Sequence, residues 1–98
     1  MIDLDHYFDT PLDICLSTAK KTVARRKALR ITQKELAGMT GVSFASVRRF
    51  ETTGKISFES LVKIAIALDL KDDIKNLFLE RKVYHSIQEV IEEANQKR

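Results

Sequence analysis

Apolar positions recur at helical spacing along most of the chain, interrupted by polar caps and three glycines. Leu12, Leu16, Ala19 and Val23 fall at i, i+4, i+7 and i+11, one stripe of a helix running to about Leu29. Thr10-Pro11-Leu12-Asp13 predicts its start, with Thr as N-cap, Pro at the first helical position and Asp at the positive dipole end. Thr32-Gln33-Lys34-Glu35 reads as a capping box. The short helix it opens carries Leu36, Ala37 and Met39, and Gly41 closes it. Ser43 caps a third helix from Phe44 to about Thr52, apolar at Val47 and Phe50 and ended by Gly54. Ser57 caps a fourth, where Leu61, Ile64, Ala65 and Leu68 give the i, i+3, i+4, i+7 pattern. Ile74, Leu77 and Phe78 mark a fifth, and Ser86-Ile87-Gln88-Glu89 is a second capping box. The helix it opens has Ile87, Val90, Ile91 and Ala94 on one face. The pattern predicts an all-α fold.

Composition narrows the function classes. Ninety-eight residues, 44% hydrophobic, suffice for one small core. No apolar run approaches the roughly 20 residues of a membrane span, and the acidic first ten residues do not resemble a secretory signal. The reading is therefore a soluble protein of the cytoplasm. A single cysteine, Cys15, excludes an internal disulfide framework, and His6 and His85 stand at opposite ends, so no metal cluster is expected. Cys15 has no His or Asp spaced to activate it and reads as a buried, inert thiol. Three glycines leave no room for a phosphate-cradling cofactor loop, so neither cofactor nor enzymatic activity is expected.

The distribution of charge says more than its total of +3. Residues 1–19 carry a net −4, residues 20–58 a net +8 and residues 59–98 a net −1. A basic middle between acidic or neutral ends is the footprint of a phosphate-binding face, although solvated helix surfaces have the same composition.

The segment Thr32 to Gly54 combines a short helix, a turn at Gly41 and a second, arginine-rich helix. Two helices joined by three or four residues including Gly form a helix-turn-helix, whose second helix fits the major groove. Here TQKELAGMTGVSFASVRRFETTGK resembles the lambda-repressor-like (XRE-type) DNA-binding domains over roughly residues 12–79. The resemblance implies a compact five-helix helix-turn-helix domain at 1–80 (motif 32–54) with a C-terminal helical extension at 81–98. It implies that Gln33 and Ser43 bind backbone phosphate, and that Phe44, Ala45, Arg48 and Arg49 face the bases. Arg26 would pair with Glu51 to tie the first helix to the third. Phe44 and Ala45 stand where relatives carry Gln or Arg, which points to apolar contact with thymine methyls. Arg25, Lys27 and Lys55 complete the expected phosphate-contacting set.

The stretch RRFETTGKISFESLVKIAIALDL, with Asp72-Asp73 and Leu77-Phe78 after it, is also similar to small antitoxins encoded beside HipA-like kinase toxins. The expected function is sequence-specific binding of a palindromic double-stranded operator by a homodimeric repressor. The antitoxin likeness adds autoregulation. The alternative is an interaction module that mainly neutralises a HipA-like kinase toxin. Ile87, Val90, Ile91 and Ala94 are the expected dimer or partner contact, and Tyr7 and Phe8 the expected staple on the first helix.

Overall fold

The structure is a computed structural model that describes residues 9–79 and 87–96. Six helices and no strand occur among them: α1 (Pro11–Ala28), α2 (Gln33–Thr40), α3 (Phe44–Thr53), α4 (Phe58–Ala67), α5 (Lys71–Lys75) and α6 (Ile87–Gln96). The all-α expectation is borne out. Calls on Tyr7, Phe8, His6, His85 and the Ser86 capping box lie outside the described residues.

Helix starts follow local chemistry. The Thr10 hydroxyl accepts from the Asp13 N–H at 3.1 Å while the Asp13 carboxylate accepts from the Thr10 N–H at 3.0 Å. Thr32 and Glu35 repeat the exchange at 3.0 Å in both directions. Ser43 and Ser57 cap α3 and α4 through the N–H groups of Ser46 and Ser60. Donation by the Thr10 backbone N–H, and then the Thr10 side chain, holds the Asp13 carboxyl below its usual range. Thr32 does the same, in the same order, for Glu35. A carboxyl with a depressed folded pKa contributes stability above its unfolded pKa and loses it as pH falls through the folded value. NMR titration should therefore place both midpoints below those of the unfolded chain; ordinary midpoints would mean the capping boxes do not persist in solution.

The ends of α1 to α4 divide into two kinds. Gly41 (φ +76°) and Gly54 (φ +78°) close α2 and α3 in the left-handed conformation that glycine adopts at least cost. Arg30 (φ +58°) and Asp69 (φ +60°) close α1 and α4 in the same conformation without glycine. Each forms a Schellman pair: Ile31 N–H to Arg26 C=O at 3.1 Å and Arg30 N–H to Lys27 C=O at 3.0 Å, repeated by Leu70 to Ala65 and Asp69 to Ile66.

The core joins Ala19 of α1, Leu36 of α2, Val42 of the turn, Val47 and Phe50 of α3, Ile64 of α4 and Leu68 at its C-terminal cap. Full burial of side chains such as Phe50, Leu36 and Leu68 stabilises by roughly 1.5–3 kcal/mol each. The buried face of α1 differs from the expected stripe: Ala19, Thr22 and Arg26 point inward, and Leu12 is 51% exposed. Cys15 is also exposed, which corrects its reading as a buried thiol. The fifth helix stops at Lys75, so Leu77 and Phe78 lie beyond it and are exposed.

Candidate nucleic-acid interface

The angle between α2 and α3 is set by a chain of short contacts. The Thr40 hydroxyl donates to Leu36 C=O at 2.8 Å and accepts from Val42 N–H at 3.1 Å. The Gly41 N–H donates to Ala37 C=O at 2.9 Å, and Val42 plugs the corner at 7% exposure. Val47 and Phe50 then anchor α3 inward, which fixes its opposite side toward solvent: Phe44, Ala45, Arg48, Arg49 and Thr52 are all exposed.

Phe44 meets two cations. Lys34 Nζ of α2 lies 5.7 Å and the Arg48 guanidinium carbon 5.6 Å from the ring centroid, both within cation–π range. The ring is thus a platform that holds Arg48 and brings Lys34 to the start of α3. Sequence reasoning missed Lys34, because its partner is on another helix.

Arg49 and Lys55 share a cleft of about 160 Å³ between α3 and the beginning of α4, with Ser46, Ser57 and Ser60 on its walls. Two cations and three hydroxyls make it suited to an anion. The serines were also missed; Ser57 reads from sequence only as a cap. The Ser43 hydroxyl donates to Ser46 Oγ at 2.8 Å, so this residue is tied into the first turn of α3. Lys27 is exposed in the last turn of α1.

Beneath this surface sits a buried polar cluster. Arg26 Nε and one terminal nitrogen donate to the two oxygens of Glu51, both at 2.8 Å. Its other terminal nitrogen donates to Ile31 C=O at 2.9 Å. The paired side chains are 10% and 9% exposed. Gln33 Nε2 donates to Glu51 Oε1 at 2.8 Å, which leaves one of its amide N–H groups for another acceptor.

Arg25, one of the expected phosphate contacts, also bonds within the fold. Its Nε donates to Leu68 C=O at 2.9 Å, and a terminal nitrogen lies 3.5 Å from Asp69. The guanidinium thus complements the negative end of α4, while its side chain remains 38% exposed. Ile91 and Ala94 are exposed on α6, whereas the side chains of Ile87 and Val90 lie outside the described residues. Among the described residues no cluster of His, Cys, Asp or Glu could hold a metal, and no helix is long and apolar enough to cross a membrane.

Searches of curated proteins and of solved structures return no significant match. A helix-turn-helix family model matches residues 24–74, which spans the end of α1 through α5 and just over half of the chain. With α2, the Gly41 turn and the outward face of α3 in the same segment, the chain belongs to this helix-turn-helix family of lambda-repressor-like (XRE-type) DNA-binding transcription regulators.

Proposed function

We propose that the chain is a dimeric repressor that reads double-stranded DNA through α3. The observation that carries this reading is the orientation of α3: Val47 and Phe50 are buried, while Ala45, Arg48 and Arg49 face outward on a basic surface. Arg49 and Arg48 are the hydrogen-bonding readers, with guanine O6 and N7 as the natural target of a guanidinium. Phe44 and Ala45 supply apolar contact to thymine methyls, Phe44 while holding Arg48. Lys27, Lys55, the remaining amide N–H of Gln33, and Ser43 once its hydroxyl turns away from Ser46 contact phosphate. Residues 1–80 form the DNA-binding unit and 81–98 an appended element; among the described residues, the core cluster and its packed neighbours lie between Ala19 and Leu70. A two-fold pair with its α3 helices about 34 Å apart would read successive major grooves of a palindrome.

A half-site substitution matrix at fixed salt tests the assignment. Arg49→Ala should cost about 1–3 kcal/mol and relax preference at one position of each half-site. Lys27→Ala should weaken all duplexes alike and reduce the salt slope by about one unit per protomer. If Lys27→Ala changes the preferred sequence while Arg49→Ala weakens every duplex equally, the reading face is reversed.

The antitoxin reading is favoured by one observation: Leu77, Phe78 and Leu79 follow one another at 45%, 92% and 61% exposure, an apolar run suited to a protein contact. A stable complex with a HipA-like kinase encoded next to this chain would support it. Absence of binding to such a neighbour would remove it.

A further inference from the structure

Phe44 does not belong to the buried core cluster, yet it is not a bare surface residue either. Its side chain is 36% exposed, and a cation from each helix of the motif meets its ring. Arg48 comes from one turn further along α3, on the same face of the helix, with its guanidinium carbon 5.6 Å from the ring centroid. Lys34 comes from α2, with Nζ 5.7 Å away. Among the described residues neither cation has a carboxylate partner. We propose that Phe44 is a positioning residue for Arg48, and that the two read a thymine methyl and a guanine in neighbouring base pairs as one composite element. This deepens, and rests on, the reading of double-stranded DNA through α3.

Three arguments carry the assignment. The first is pre-organisation. A long exposed arginine loses rotamer freedom when it binds, and a ring that already holds the guanidinium reduces that loss. The attraction of a ring face for a cation uses no hydrogen-bond acceptor, so the N–H groups stay available for guanine O6 and N7. The second is distance. A duplex rises about 3.4 Å per base pair, so the 5.6 Å between ring and guanidinium is less than two steps. Thymine and guanine do not share a Watson–Crick pair, which puts the two contacts on adjacent pairs. The exposed part of the ring has no donor or acceptor, and the methyl is the feature of the groove that it distinguishes. The third separates the two cations. In this docking mode the first motif helix crosses the backbone while the second lies in the groove, so Lys34 meets phosphate and Arg48 a base.

The test is a base-substitution matrix at fixed salt, on an operator selected by the full chain from random duplexes. Arg48→Ala identifies the guanine position. Phe44→Leu keeps apolar bulk outside the core and removes the ring, whereas Phe44→Tyr retains it. Phe44→Leu should reduce the preference for that guanine by roughly three- to tenfold, and Phe44→Tyr should restore it. In an Arg48→Ala background Phe44→Leu should change the guanine preference no further. Deoxyuridine in place of thymidine deletes only the methyl, and should weaken binding at the pair beside that guanine. Lys34→Ala should weaken all duplexes alike. A guanine preference that needs Arg48 but is unchanged in Phe44→Leu, or relaxed equally in Phe44→Leu and Phe44→Tyr, would overturn the positioning role and leave the reading through α3 intact. A methyl effect found only two or more pairs away would overturn the composite element. Selection that returns no preferred sequence would overturn both the proposal and the reading on which it rests.

Discussion

Replacing Arg26 with alanine should destabilise the fold by about 3–5 kcal/mol, and Glu51→Ala by a similar amount. The carboxylate of Glu51 would keep only the Gln33 amide, and the guanidinium of Arg26 only Ile31 C=O, each as a charge nine-tenths removed from water. A domain of this size has roughly 5–10 kcal/mol in total, so either variant removes a large fraction of its stability. The Arg26→Ala/Glu51→Ala double variant should lose clearly less than the sum of the singles, because the second substitution removes the orphan left by the first. Arg26→Met/Glu51→Met should recover further, since apolar side chains of similar reach often replace a buried pair without loss. Urea unfolding with unchanged m-values measures all four. Additive losses would mean that the pair does not act as a unit, and a loss under about 1 kcal/mol in each single would mean that it is solvated.

Two glycines with nearly the same φ should respond very differently to substitution. At Gly41 an added Cβ has no atom within 4 Å, so Gly41→Ala meets only the left-handed backbone, a cost of about 1–2 kcal/mol. At Gly54 the same Cβ would stand 2.7 Å from the Cys15 carbonyl carbon and 2.9 Å from Cys15 Cβ and Leu16 N. Those are backbone atoms and the base of a side chain, so relief requires α1 to move away from α3. Overpacking adds about 1–3 kcal/mol to the conformational cost, and Gly54→Ala should total roughly 2–5 kcal/mol. The displacement would also pull Arg26 from Glu51, so Gly54→Ala and Arg26→Ala should be non-additive, whereas Gly41→Ala and Arg26→Ala should add. Equal losses at the two glycines would show that α1 and α3 are not in close contact at Gly54.

The sequence by itself determined what depends on neighbours within about four positions. Thr10, Thr32, Ser43 and Ser57 cap their helices because a hydroxyl reaches an N–H three residues on, and that spacing is written in the chain. Gly41 and Gly54 stop helices for an equally local reason, and the helix-turn-helix follows from the two together. The end of α1 near Leu29 was legible from its apolar stripe, but the left-handed residues that follow α1 and α4, Arg30 and Asp69, were not, because no glycine marks them.

Only the tertiary structure decided which face of α1 is buried and where the cations go. Hydropathy favours Leu12, Leu16 and Val23 over an arginine, yet Arg26 turns inward because Glu51, 25 positions away, and Ile31 C=O satisfy its guanidinium. Arg25, one position earlier, is turned about 100° around the helix and reaches Leu68 C=O, 43 positions away, so adjacent arginines of similar sequence context serve opposite ends of the domain. Gln33 bonding to Glu51, and Lys34 meeting the ring of Phe44, likewise depend on how α2 crosses α3. A side chain's partner across helices is fixed by their crossing and separation, which depend on the packing of Leu36, Val42, Val47 and Phe50; no local pattern contains that geometry.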